Sequence, residues 1–259
     1  MIPTEIVDHV LSFLHSAQDY TTLETCSDIF PQLVDRHLYS HIGFTPSTAL
    51  FPSRISFNKG AYVINPTTFS SIIVDRPHIA NYVRVVVIRL PEYPDSTLPE
   101  LSSILPILLH IESISLSVTD GILNWNAPIP KFCMAFRNCI RLPSIKEVAI
   151  TNIDGFSLDA FHDCENLENL TLYGRFSGGE GTPTSPFPQL SSLSINATSV
   201  VTWMKSMKSN TLHTLCLRMA YVGEDLPKFR PLIEACSNTL VRLELDLVHF
   251  DCELSVLST

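Results

Sequence analysis

The chain has no Cys-x-x-Cys pair, no run of Lys and Arg, no long apolar stretch and only nine glycines in 259 residues. Each shortage excludes something. The seven cysteines, at 26, 133, 139, 164, 216, 236 and 252, are odd in number and irregularly spaced. A disulfide framework or a zinc site has paired spacings, so the expectation is reduced, mostly buried thiols in an intracellular protein. Against 26 acidic residues stand 17 basic ones, a net charge of −9. Phosphate neutralisation needs a basic footprint, so nucleic acid is not an expected partner, and neither is an anionic membrane surface. The longest apolar run, Ile104–Ile111, falls far short of the roughly 20 residues of a membrane span. At the amino terminus Glu5 and Asp8 interrupt the apolar residues and no basic residue comes first, unlike a signal peptide. The formal glycosylation sequons at Asn169 and Asn196 are then coincidental.

Catalytic motifs are missing too. The one glycine cluster, Gly178-Gly-Glu-Gly181, lacks the Lys-Ser/Thr of a phosphate loop and lies in a proline-rich turn. There is no Gly-x-Ser-x-Gly elbow and no His-Glu-x-x-His helix. His162, Asp163 and Cys164 are adjacent, and adjacent residues on a turn do not face one another. His37 and His41 are four apart and can share a helix face, but a metal site needs further ligands, so solvated surface is the reading. No catalytic residue, no metal ligand and no cofactor is expected; the chain is read as a non-enzyme. Trp125 and Trp203 read as packing residues.

What the chain has is a recurring frame of apolar, two spacers, apolar, one spacer, apolar. It appears at Val83/Val86/Ile88, Ile111/Ile114/Leu116, Ile145/Val148/Ile150, Leu167/Leu170/Leu172, Leu190/Leu193/Ile195, Leu212/Leu215/Leu217 and Leu240/Leu243/Leu245. Successive last members are 28, 34, 22, 23, 22 and 28 residues apart. Such a frame at such a period is the signature of leucine-rich repeats. The expected fold is α/β: a short amino-terminal helical segment, then a solenoid with parallel strands on its concave face and helices and turns on its convex face. The boundaries read as 1–43 for the helical segment, 44–81 for a connector packed on the solenoid's open end, and 82–259 for about seven repeats.

Within this frame the spacing predicts helices over 98–105, 131–140, 200–207 and 228–236, with a single turn at 158–162 in a short step. In the connector it predicts a helix over 67–75 and a short strand over 54–57; residues 177–188 read as a surface loop. After the last frame, Val248, Phe250, Leu254, Val256 and Leu257 are still apolar. A polar closing cap is not evident there, which leaves a short gene product, a last strand or a covering partner.

Residues 2–15 carry Ile6, Val10, Phe13 and Leu14 at helical spacing. A second helix follows over about 19–26. A third, capped by Ser27, holds Phe30, Leu33, Val34, Leu38 and Tyr39. Three short helices in about 40 residues make a weak core, so their apolar surface is covered either by the repeats, as a cap, or by a partner.

The order of residues over 2–30 resembles an F-box, the module that docks receptors onto the Skp-family adaptor of cullin–RING ubiquitin ligases. Ile2-Pro3-Thr4-Glu5-Ile6 stands where that family has Leu-Pro, an acid and an aliphatic. Val10-Leu11, Phe13-Leu14, Asp19-Tyr20, Leu23, Cys26-Ser27 and Phe30 follow in register without a gap. Ile2 and Tyr20 each replace a Leu, and Asp28-Ile29 stand where basic residues are usual. Residues 77–84, Pro-His-Ile-Ala-Asn-Tyr-Val-Arg, resemble the join to repeats in a large fungal group of F-box proteins. The resemblance implies a substrate receptor of an SCF-type ligase, cytoplasmic or nuclear. It implies adaptor contacts from Pro3, Ile6, Val10, Leu14, Leu23 and Phe30.

Target contacts follow from strand alternation instead. If Leu170 and Leu172 point into the core, Asn169, Thr171 and Tyr173 face outward. The same register exposes Arg89, Asn196, Arg218 and Glu244, in a row otherwise small and polar. That row is either the face that recognises an unidentified target protein or an ordinary solvated surface. A leucine-rich interaction scaffold without a ligase role is the alternative reading.

Overall fold

Strand alternation decides the layout. In β3 (Val85–Leu90), Val86, Ile88 and Leu90 are buried, while Val85, Val87 and Arg89 stay half-buried on the opposite face. The computed structural model describes residues 31–45, 61–91, 97–119, 121–126, 130–178, 189–196, 211–219 and 222–247. The helices expected at 2–15, 19–26 and 200–207, the strand at 54–57 and the apolar residues after 247 lie outside the described residues.

The fold is α/β, built on a nine-stranded parallel sheet. Its strands are β1 (His41–Phe44), β2 (Tyr62–Ile64), β3, β4 (Ser113–Val118), β6 (Glu147–Thr151), β9 (Asn169–Tyr173), β11 (Ser192–Ile195), β12 (Thr214–Met219) and β13 (Arg242–Leu247). Two small parallel ladders flank it, β5 (Leu123–Asn124) on β7 (Ile153–Asp154), and β8 (Phe156–Ser157) on β10 (Phe176–Ser177). From β3 onward the main strands lie side by side in chain order, and β1 and β2 extend the sheet beyond β3.

The register matches the frame. Val86, Ile114, Val148, Leu170, Leu193, Leu215 and Leu243 pair in one row across the sheet. The row two residues on runs from Ile88 through Leu172 to Leu245. Steps of unequal length keep one register because their extra residues go into the crossovers. Through β12 these side chains are essentially fully buried, each worth roughly 1.5–3 kcal/mol. In β13 the corresponding Leu243 and Leu245 keep 44% and 47% exposure, so the seventh frame forms its strand without a buried inner face.

Helices close the core on the other side. α1 (Pro31–Tyr39) falls within the stretch expected as the third amino-terminal helix and buries Val34, Leu38 and Tyr39. α2 (Pro66–Asp75) starts at Asn65, whose Oδ1 accepts from the Thr67 N–H at 2.8 Å, with Pro66 in the first turn. It buries Phe69 and Ile73. α3 (Thr97–Ile104) and α4 (Pro130–Ile140) continue the layer, α2 against α3 and α3 against α4. α4 buries the predicted Phe132, Phe136, Cys139 and Ile140, and Trp125 lies edge-on to Phe136 and Phe156. In the short step a 3₁₀ turn, Leu158–Phe161, does the work of a helix.

Four expectations change. His41 begins β1, so His37 and His41 share no helix face. Residues 41–44, across the boundary of the expected helical segment, and 62–64, within the expected connector, pair as strands of the main sheet. Ser177 pairs in β10 instead of opening a loop. α5 (Val222–Cys236) begins before Lys228 and contains Pro227 and Pro231, each lacking an N–H; buried Phe229, Leu232 and Cys236 hold it to the core despite that loss.

Hydroxyls tie consecutive frames together. Ser144, Thr211 and Thr239 each precede the first apolar member of a frame. They donate to the carbonyls of Ile111, Leu190 and Leu212, the first members of the frames before, at 2.6, 3.0 and 2.9 Å.

Candidate functional site

The outward face of the sheet is where small side chains leave room for large ones. Val87, Ser115, Ala149, Thr171, Ser194, Cys216 and Glu244 form one outward row. With Ser194 small, Tyr173 on β9 and Arg218 on β12 reach each other across β11. The Arg218 guanidinium carbon lies 5.1 Å from the Tyr173 ring centroid. Its Nε sits 3.4 Å from Asp246 Oδ2 on β13. Cation–π contact and ion pair together hold the Arg218 plane over the ring.

Burial raises the Tyr173 phenol above its ordinary value, and Cys216 adds to the rise, while Ser194 and Arg218 pull against it. The phenol is therefore neutral across the physiological range, a hydroxyl that donates and accepts. Strand alternation also turns Cys216 and Asp246 outward, but their contacts with Tyr173 and Arg218 follow only from which strands are neighbours.

The other outward candidates divide. Thr171 lies beside Ala149 and Ser194, within the same patch. Asn169 Oδ1 accepts from the Ser191 hydroxyl at 3.4 Å. Asn196 Oδ1 accepts from the Gly174 N–H at 2.9 Å. That bond supports a tight turn, since a Cβ on Gly174 would meet the Ile153 carbonyl oxygen at 2.2 Å and its φ is +158°. Glu244 pairs with Arg242 along its own strand. Arg89 is not brought into this patch: its strand is separated from β9 by β4 and β6, and burial lowers its guanidinium from the usual arginine value. Pro3, Ile6, Val10, Leu14, Leu23 and Phe30, the adaptor contacts implied by the resemblance, lie outside the described residues.

No family model matches the chain, and a search of curated proteins finds no match.

The thiols have a structural place. The five described cysteines are free. Cys139 and Cys164 are buried, and burial pushes both thiols up to about 12. Cys164 donates to the Ile140 carbonyl at 3.1 Å. A thiol held so far from its thiolate is a poor nucleophile, so His162, Asp163 and Cys164 do not form a reactive group. Among the described residues no cluster of three His, Cys, Asp or Glu could hold a metal, and no helix is long and apolar enough to cross a membrane.

Proposed function

We propose that this chain is a non-catalytic receptor built on leucine-rich repeats, holding a target protein on the outward strand face of a solenoid and a Skp-family adaptor on its amino-terminal helices. The observation that carries the first half is the Tyr173–Arg218–Asp246 cluster on a face otherwise lined by small residues. Tyrosine and arginine are the residue types that most often dominate binding energy, and here both are pre-positioned. Parallel strands that from β3 onward lie in chain order, with helices or a 3₁₀ turn in the described crossovers, support the solenoid reading. The adaptor half rests on the F-box-like residues 2–30. In a cytoplasmic or nuclear SCF-type ligase such a chain supplies proximity between target and ubiquitin-charged enzyme, while the chemistry belongs to other subunits.

Pull-down with a Skp-family adaptor tests the adaptor half. Wild-type chain captures it, and Ile6→Asp plus Leu14→Asp abolishes capture while circular dichroism stays unchanged. Failure of the wild type to bind, or equal binding by the double variant, overturns the ligase role.

A specific contact favours a second reading, a scaffold in which the amino-terminal helices are only a cap. α1 is clamped to the end of α2 and the 3₁₀ turn after it: Asp35, 3% exposed, takes Arg76 Nη1 at 2.7 Å and His78 Nε2 at 3.2 Å. On that reading, proximity labelling recovers the same neighbours with and without adaptor.

A further inference from the structure

On the helix side of the molecule, opposite the outward strand face, lies a cleft of about 470 Å³ bordered by Trp125, Asn126, Cys133, Met134, Arg137 and Arg141. Two cations line it and no carboxylate does. Arg137 and Arg141 are one helical turn apart, Arg137 on α4 and Arg141 just past its end, so both project to one side. Their circumstances differ. Arg141 is engaged: its Nη2 lies 3.4 Å from Asp163 Oδ2, and its Nε points to the Ala160 carbonyl at 3.5 Å. Arg137 makes no ion pair or hydrogen bond among the described residues, and its Nε is buried without an acceptor. A buried donor left unpaired is costly, and more so on a charged group.

The rest of the lining is mixed: Asn126 and Asn138 bring amide side chains, and Pro130, Cys133 and Met134 bring apolar ones. Cys133 donates its thiol to the Trp125 carbonyl at 3.6 Å. Met134, also in the lining, is 63% exposed. The Nε is enclosed by protein, so what Arg137 offers the cleft is the fork of its outer Nη pair, without an acceptor among the described residues and next to the apolar atoms of Cys133 and Met134. A carboxylate matches that fork with two parallel N–H···O bonds, and the volume falls in the roughly 300–1,000 Å³ range of sites for small organic molecules.

We propose that the α4 cleft is a binding site for a small organic carboxylate, its acid group on Arg137 and its apolar part against Trp125, Cys133 and Met134. Arg141, held by Asp163, adds positive field without being consumed as a ligand. The site shares no residue with the outward strand face.

The test compares benzoate with its uncharged isostere benzamide and with inorganic phosphate, by NMR titration and thermal shift on the full chain. Benzoate binds saturably, and benzamide binds at least about tenfold more weakly, the size of one lost charge-assisted pair. Arg137→Gln weakens benzoate by about tenfold or more and leaves benzamide unchanged, and Arg137→Lys restores part of the affinity. Met134→Glu, at an exposed position that tolerates substitution, abolishes benzoate binding by placing a competing carboxylate in the lining. Absence of benzoate binding, equal binding of benzoate and benzamide, phosphate binding as tight as benzoate, or indifference to both Arg137→Gln and Met134→Glu overturns the assignment.

Discussion

The two edges of the main sheet share one geometry and differ in cover. At one edge, β1 and β2 meet helices and rings: Phe44, Phe69 and Tyr39 are buried, with Phe44 and Phe69 5.4 Å apart and Tyr39 edge-on to Tyr62 at 5.6 Å. At the other edge β13 pairs with β12 in full register, yet Leu243 and Leu245 stay about half exposed and Val241 is 82% exposed. Backbone pairing and leucine placement are therefore insufficient to make a core residue. An apolar side chain contributes its transfer free energy only when a second layer removes it from water.

The largest effect expected from this contrast is at the covered edge. Phe69→Ala should destabilise by about 3–5 kcal/mol, read as a shift in the urea midpoint at unchanged slope, because it opens a cavity among Tyr39, Phe44 and Ile73. A loss under about 1 kcal/mol would mean that this edge is as loosely covered as β13.

The layer of helices and turns behind the sheet supplies an alkaline signature. The Cys139 and Cys164 thiols sit above their ordinary value of 9.0, at about 12, because burial disfavours the thiolate. A folded-state pKa raised above the unfolded one gives stability that is complete below about pH 9 and is lost as pH rises toward about 12. The unfolding free energy should fall over that window, by up to several kcal/mol in total, and Cys164→Ala should flatten the slope. A slope unchanged in both Cys164→Ala and Cys139→Ala would show that these thiols are not the groups titrating.

Asp35→Ala tests the clamp between α1 and the covered edge. Its carboxylate is buried but Arg76 and His78 reach solvent, so the expected loss is about 1–3 kcal/mol rather than the full cost of an orphaned buried charge. The Tyr173–Arg218 contact should contribute less. A double-mutant cycle of Tyr173→Leu and Arg218→Met should give a coupling of about 0.5–1 kcal/mol in stability. For target capture, in contrast, the single variants should each be severe. The smallest effect is at the open edge: Leu245→Ala should cost under about 1 kcal/mol, since half of that side chain is already in water. A loss as large as that of Leu172→Ala would close the difference between β13 and the interior strands.

Much of this was readable in advance. Leu167, Leu170 and Leu172 announce a strand and its inner face by spacing alone, and alternation then places Asn169, Thr171 and Tyr173 outside. The helix over 131–140 shows itself by its four buried apolar positions. The first two strands stayed hidden because His41–Phe44 and Tyr62–Ile64 are too short to carry the frame. The hydroxyls of Ser144, Thr211 and Thr239 were a usable signal, always one residue before a frame, that apolar periodicity does not register.

By itself the amino-acid sequence determined the period, the direction of the strands and the face on which each strand residue sits. Those are local properties, set by two-residue alternation and by crossovers long enough to keep neighbouring strands parallel. Only the tertiary structure decided which leucines are covered, that Arg218 reaches Tyr173 across Ser194, that Asn196 serves the Gly174 turn and that Arg137 finds no acceptor among the described residues. Burial and charge pairing depend on groups 22 to 45 residues apart in the chain, such as Gly174 with Asn196 or Tyr173 with Arg218, and no spacing rule along the chain encodes their distance in space.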